Sequence, residues 1–147
     1  MPEARARVIL AFDFGLKRIG IATGETLAGT SAPRGTVAMT PAGPDWPAVD
    51  RTVREFAPDL LVVGAPYNDD GSPARIAAPA TAFAASLAQR YGLPVERIDE
   101  RYSSTAATSR LREQRASGER RRAVRKGDVD SAAAAIILAS WLAQHGY

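Results

Sequence analysis

Residues 7–14, Arg-Val-Ile-Leu-Ala-Phe-Asp-Phe, form a short apolar run closed by Gly15, and it reads as a buried strand. Residues 17–23 alternate and are rich in Ile, which predicts a second strand joined to the first by a hairpin at Gly15–Leu16. A weaker strand is expected at 33–39. Pro44-Asp45-Trp46-Pro47 marks a turn and helix start, and Val49, Val53 and Phe56 then share one helical face. Leu60–Val63 is continuously apolar before Gly64-Ala65-Pro66, the pattern of a parallel strand covered on both faces. A polar loop (67–72), an Ala-rich helix (73–91) capped by Gly92, and a strand (94–98) ending in Asp99-Glu100-Arg101 come next. A helix at 103–116, a mobile Gly- and Arg-rich stretch at 117–127 and a last helix at 129–144 complete the chain. Antiparallel strands followed by βα units make an α/β domain, with a mixed sheet and helices on its faces. Residues 1–147 read as one domain, a size that buries enough surface to fold without staples.

Composition narrows the chemistry. The chain has no cysteine and one histidine, His145, two residues from the end, where fraying is expected. Disulfides and thiolate metal sites are excluded, and a histidine triad or multi-histidine zinc site is disfavoured. No signal-peptide core or membrane-length apolar run is present, so a cytoplasmic protein with no membrane partner is expected. Formal charge is only +3, but residues 110–126 carry eight basic side chains against two acidic ones. Such asymmetry points to an anionic partner, nucleic acid above all.

The carboxylates are the notable polar groups. Asp13 sits at the end of the first apolar run, where an ionised side chain is costly without a compensating partner such as a metal cation. Capping the Gly15 turn at an exposed strand end is the plainer alternative. Asp99 and Glu100 end a central strand, the edge at which open α/β sheets bind ligands. Strand alternation lets at most one of them join a site, unless the strand has already ended. Asp128 and Asp130 open the last helix. Asp128 suits the helix dipole there, while Asp130 falls inside the first turn and is less well explained by capping. Oxygen ligands on three separate elements suit Mg2+ or Mn2+, and two such ions can promote phosphodiester hydrolysis without histidine or cysteine. Asn68, in the loop after Val63, could hold a phosphate or position a base. Lys17 and Arg18 follow Asp13 closely and either meet phosphates or stand exposed on the hairpin.

Taken together, these motifs resemble the YqgF family, also called RuvX, of the RNase H-like superfamily. The carriers are Asp13-Phe14-Gly15-Leu16-Lys17-Arg18-Ile19-Gly20-Ile21-Ala22, then Gly64–Ser72, Asp99-Glu100-Arg101 with Ser103 and Ser104, and Asp130-Ser131-Ala132-Ala133. They run in order from about residue 8 to 142. Three positions depart from the family pattern: Ala65 where Leu is usual, Asp69 where an apolar residue is common, and Glu25 where Asp is common.

The resemblance implies an RNase H-like fold and a metal-dependent nuclease, with Asp13, Glu100 and Asp130 binding Mg2+ or Mn2+. Asp99 and Asp128 become supporting carboxylates. Lys17, Arg18, Asn68, Arg101, Arg120, Arg121, Arg122, Arg125 and Lys126 become nucleic-acid contacts. Members are thought to resolve Holliday junctions or to trim the 5′ end of pre-16S ribosomal RNA. Branched DNA calls for two symmetric cuts and hence a homodimer, whereas structured RNA can be trimmed by a monomer. The competing expectation is a nucleic-acid-binding module without catalysis. An ATP-binding fold of the actin and sugar-kinase class would need over twice this length.

Overall fold

A computed structural model describes residues 7–65, 77–99 and 126–147. Its described elements are β1 (Val8–Asp13), β2 (Arg18–Glu25), β3 (Thr30–Thr40), β4 (Gly43–Pro44), α1 (Trp46–Phe56), β5 (Leu60–Ala65), α2 (Ala77–Tyr91), β6 (Val95–Asp99) and α3 (Lys126–Gln144). The strands form one sheet in the order β4-β3-β2-β1-β5-β6. β1 is antiparallel to β2 and parallel to β5, and β5 is parallel to β6. This is the mixed α/β sheet that the element order demands, antiparallel first and parallel afterwards. The expected helix at 103–116 and the stretch 117–125 lie outside the described residues.

The sheet has two chemically different faces because side chains alternate along each strand. Leu10 and Phe12 of β1, with Ile19, Ile21, Leu61 and Val63, pack against Val49 of α1 and Phe83 and Leu87 of α2. Large side chains dominate here. Phe83 meets Phe12 edge-on at 5.4 Å between centroids and tilts against Trp46 at 5.7 Å. The opposite face carries Ile9, Ala11, Leu60, Val62 and Ile98, covered by Ile137, Leu138, Trp141 and Leu142 of α3.

β2 shows that second face at its narrowest. Gly20, Ala22 and Gly24 share one parity, and each meets α3: Gly20 at Asp130, Ala22 at Ala134 and Ala135, Gly24 at Leu138. Two strand residues rise about 6.8 Å and four helix residues about 6.0 Å, so helix and strand stay in step for two turns. A Cβ on Gly20 would collide with the Asp130 carbonyl.

Several boundaries differ from the sequence reading. β3 starts three residues before the expected 33, because only Val37 along it is buried and the strand leaves little hydrophobic signature. Pro33 is tolerated there beside an irregularity: the β2–β3 register shifts between Gly20 and Ala22. α3 begins at Lys126 rather than 129, with Gly127 inside it. The chain end is tied down rather than frayed. His145 stacks on Trp141 at 4.1 Å, and the Tyr147 amide donates to the Leu142 carbonyl. Trp141 Nε1 also donates to Glu96 of β6 at 3.0 Å.

α1 and α2 are joined by a polar clamp. Arg90 donates from Nε and Nη2 to the two oxygens of Asp50, each at 2.8 Å, and the Tyr91 hydroxyl donates to the same carboxylate at 2.5 Å. The bonds from Arg90 and then Tyr91 hold the Asp50 carboxyl well below the usual carboxylate range. Burial, and next its bond to Asp50, push the Tyr91 hydroxyl up to about 12. Both signs can be followed through linkage. The Asp50 contribution is present above its unfolded value of about 4 and is lost as pH falls below that. The Tyr91 contribution is present below about 10 and is lost as pH rises toward its folded value. Asp50→Asn should therefore be less stable than the parent at pH 6–8, with the gap closing as thermal melts are carried from pH 5 to pH 2.5. A gap that stays constant through the acid range would mean that the clamp is not ionic.

Candidate active site at the carboxyl edge of the sheet

The parallel strands β1, β5 and β6 end at one edge, in Asp13, Ala65 and Asp99. Asp13 pairs with Gly64 on one side and Gly20 on the other. It shares parity with Ile9 and Ala11, so it belongs to the face that α3 covers. Asp13 is only 8% exposed. A carboxylate at that depth stays ionised only beside compensating donors or a cation.

The second carboxylate arrives through the helix. Since Gly20 lies opposite Asp13 and directly beneath the Asp130 backbone, the register of β2 sets the Asp130 backbone beside the end of β1. Ser131, next to it and 4% exposed, fixes the helix: its hydroxyl donates to the Ile21 carbonyl at 3.2 Å and accepts from the Gly35 amide at 2.9 Å. Ser31 adds a third tie, donating to the Ala135 carbonyl at 2.8 Å. The Gly35 amide reaches Ser131 from the irregular stretch of β3, where Gly35 has φ +91°. A bulged strand re-aims backbone groups in this way.

Arg18 completes the described part of the site. It has the same parity as Gly20 and therefore emerges on the α3 face. Its Nε donates to Asp130 Oδ2 at 2.6 Å, with both side chains about 30% exposed or less. This departs from the sequence reading, in which Arg18 stood on the hairpin or met phosphate directly. Lys17 remains exposed, and its carbonyl accepts from the Met39 amide, which anchors the hairpin to β3.

Other expected residues are placed only in part. Asp99 ends β6 with its backbone paired to Ala65, and Lys126 and Asp128 lie in the first turn of α3. Glu100, Asn68, Arg101, Arg120, Arg121, Arg122 and Arg125 lie outside the described residues. Among the described residues, no three acidic or histidine side chains stand together as a metal cluster. The two carboxylates brought to one edge supply only oxygen donors, which suits hard divalent cations. Glu25, the departure from the family pattern, caps the turn after β2 by accepting from the Leu27 and Ala28 amides. It pairs with Val8 at the far end of the sheet and takes no part in this edge. Gly20 and Ser131 are the contributors that sequence reasoning passed over as parts of the site. The shared parity of Gly20, Ala22 and Gly24 was the available signal.

The fold is RNase H-like, the fold also seen in RuvC. Thermus thermophilus RuvC in complex with a Holliday junction substrate superposes with a TM-score of 0.53 at 18% identity, covering 95% of this chain and 96% of that one. The yeast mitochondrial Holliday junction resolvase Ydc2 gives 0.52 at 11% identity over 91% of this chain and 77% of its own. The sequence is more specific. The family model for RuvX, described as Holliday junction resolvase, matches residues 7–144. Relatives named "Putative pre-16S rRNA nuclease" are 42% identical. The one from Escherichia coli O7:K1 aligns over 95% of this chain and 97% of its own, and the one from Pectobacterium carotovorum over 96% and 99%. The chain belongs to the RuvX family, and is a nuclease, a hydrolase of phosphodiester bonds.

The seating of α3 generates a prediction. Gly20→Ala forces helix and strand apart at Asp130, and overpacking of this kind costs about 1–3 kcal/mol. Urea unfolding should show that loss, and the Gly35 amide, bonded to Ser131 in the parent, should exchange faster with solvent. An unchanged midpoint and unchanged exchange would mean that α3 does not sit on Gly20.

Proposed function

We propose that this protein is a divalent-metal-dependent nuclease of structured RNA that trims the 5′ end of pre-16S ribosomal RNA in the cytoplasm, with Asp13, Glu100 and Asp130 as the metal ligands. The observation that carries the metal-site reading is the packing of the Asp130 backbone on Gly20, the strand partner of Asp13, which directs two acidic residues 117 positions apart in sequence to one face of one sheet edge. The RNA substrate is favoured because the full-length relatives at 42% identity bear that name.

Glu100 is preferred to Asp99 because the family resemblance carries the ligand role onto Glu100. Ile98 packs with α3 and lies in register with Gly64 and so with Asp13, which brings the end of β6 to the same edge. Divalent cations, when bound, activate water and neutralise charge developing on the phosphate. The chain's own residues do the rest. Asp13 supplies a fixed anionic floor, Asp130 is presented by α3, and Lys17 meets the backbone of the strand from the hairpin. Asn68, Arg101 and the basic residues of 110–126 hold the flanking phosphates. No helix among the described residues is long and apolar enough to cross a membrane.

Junction resolution is the second reading, favoured by the family description and by the RuvC-like fold. It brings with it a two-fold homodimer.

Two measurements test these readings. Asp13→Asn should cut metal-dependent cleavage by more than about a hundredfold, since even residues that merely orient a metal ligand are worth 10–100-fold. Both proteins would be offered a structured RNA with a 5′ extension and a four-way DNA junction, with Mg2+, Mn2+ or chelator. Preference for the junction would exchange the two readings, and undiminished cleavage by Asp13→Asn would remove Asp13 from the site. Binding without any cleavage would favour the non-catalytic module. Separately, if the six excess charges of 110–126 pair with phosphates, log affinity should fall against log salt with a slope of roughly −4 to −5. A flat dependence would remove that segment from the interface.

A further inference from the structure

The Arg18–Asp130 pair does something the metal-site reading leaves open. We propose that Arg18 is an exchangeable counter-ion: it holds Asp130 in the metal-free protein, yields that carboxylate to a divalent cation, and then binds a phosphate of the incoming strand. The proposal rests on the metal-site reading above and deepens it.

Three observations lead there. Arg18 is aimed at Asp130 by strand parity and not by chance of rotamer, since it leaves β2 on the same side as Gly20, beneath the Asp130 backbone. The contact is a charge-assisted bond of 2.6 Å from Nε to Oδ2. A guanidinium at that distance occupies the space and neutralises the charge that a cation would use. The pair is also only partly covered, the side chains being 27% and 30% exposed, so Arg18 can leave without crossing the core.

The physical cost of leaving both cations on one carboxylate selects the outcome. A divalent ion and a guanidinium repel each other at short range in a partly desolvated site. The guanidinium carries its charge at any physiological pH and presents a planar fork that matches phosphate oxygens. The nucleic acid supplies such oxygens beside the same edge. Release of Arg18 by metal is then coupled to its capture by the strand, so that metal and strand each favour the binding of the other.

The test uses the full chain, its Arg18→Met variant and Mn2+, with free Mn2+ followed by electron paramagnetic resonance. Arg18→Met should bind Mn2+ about tenfold more tightly than the parent, within the usual range for coupled sites. Structured RNA, measured in Ca2+ and in chelator, should bind the parent more tightly when Ca2+ is present, and this gain should shrink several-fold in Arg18→Met. Equal or weaker Mn2+ binding by the variant overturns the proposal while leaving the metal site intact. If neither protein binds Mn2+, the metal-site reading and this proposal fall together. The parent alone provides a check that does not depend on the variant's folding. The NMR signal of the Arg18 Nε–H, hydrogen-bonded in the metal-free protein, should shift as Ca2+ is added. A signal that stays put while Ca2+ binds overturns the exchange.

Discussion

The close seating of α3 on β2 is the contact from which the rest of this edge follows. Gly20, Ala22 and Gly24 strip one side of the strand to backbone, and Ala134 and Ala135 do the same for the helix. Such a contact buries little side-chain area per residue and draws its strength from dispersion at short range and from hydrogen bonds across the joint. Ser131 and Ser31 supply those bonds. The bulge in β3 is part of the same arrangement, because it frees the Gly35 amide from the ladder and turns it toward Ser131. A helix held by backbone contacts and two buried or half-buried hydroxyls has little freedom to slide. That rigidity sets the position of Asp130, one residue away.

The two faces of the sheet divide the work accordingly. The face under α1 and α2 carries the aromatic cluster of Phe12, Phe14, Phe83 and Trp46, where large apolar area is buried and most hydrophobic stabilisation resides. Its polar fastening, the Asp50–Arg90–Tyr91 clamp, is superficial and concerns the helices only. The face under α3 gives up side-chain volume along β2 and gains proximity. Asp13 lies on this second face, at the end of its central strand. A carboxylate on the aromatic side would meet bulky apolar groups and no helix terminus.

Much of the fold was legible because its signals are local. β1 and β5 announce themselves as compact apolar runs, α1 by the face formed by Val49, Val53 and Phe56, and the hairpin by Gly15. β3 was legible only in part. It lies toward the edge of the sheet with a single buried residue, so its pattern is nearly that of a polar loop. The start of α3 was missed by three residues, since Lys126-Gly127-Asp128 has the composition of a turn. For the site, Asp13 was legible as a carboxylate closing an apolar run, and Asp130 as one inside the first turn of the last helix that capping explains poorly. That both belong to one edge was not, because it depends on strand register and on which parity faces α3. The role of Arg18 was hidden for the same reason. An arginine beside an acidic strand end looks like a phosphate contact until parity turns it toward the helix.

That parity has a consequence for how such a site can be built at all. A rigid fold that directs two acidic residues to one partly covered edge must offset their negative charge with donors or a basic side chain. Arg18 meets Asp130 from within the hairpin that begins at Asp13, five residues after β1 ends in that carboxylate. The same short segment therefore contributes a buried carboxyl group at Asp13, a tight turn at Gly15, an exposed Lys17 and the guanidinium that meets Asp130. Placing these functions on one hairpin links the charge balance of the site to its geometry. The hairpin cannot form in register without delivering Arg18 to Asp130, and α3 cannot dock on Gly20 without meeting it.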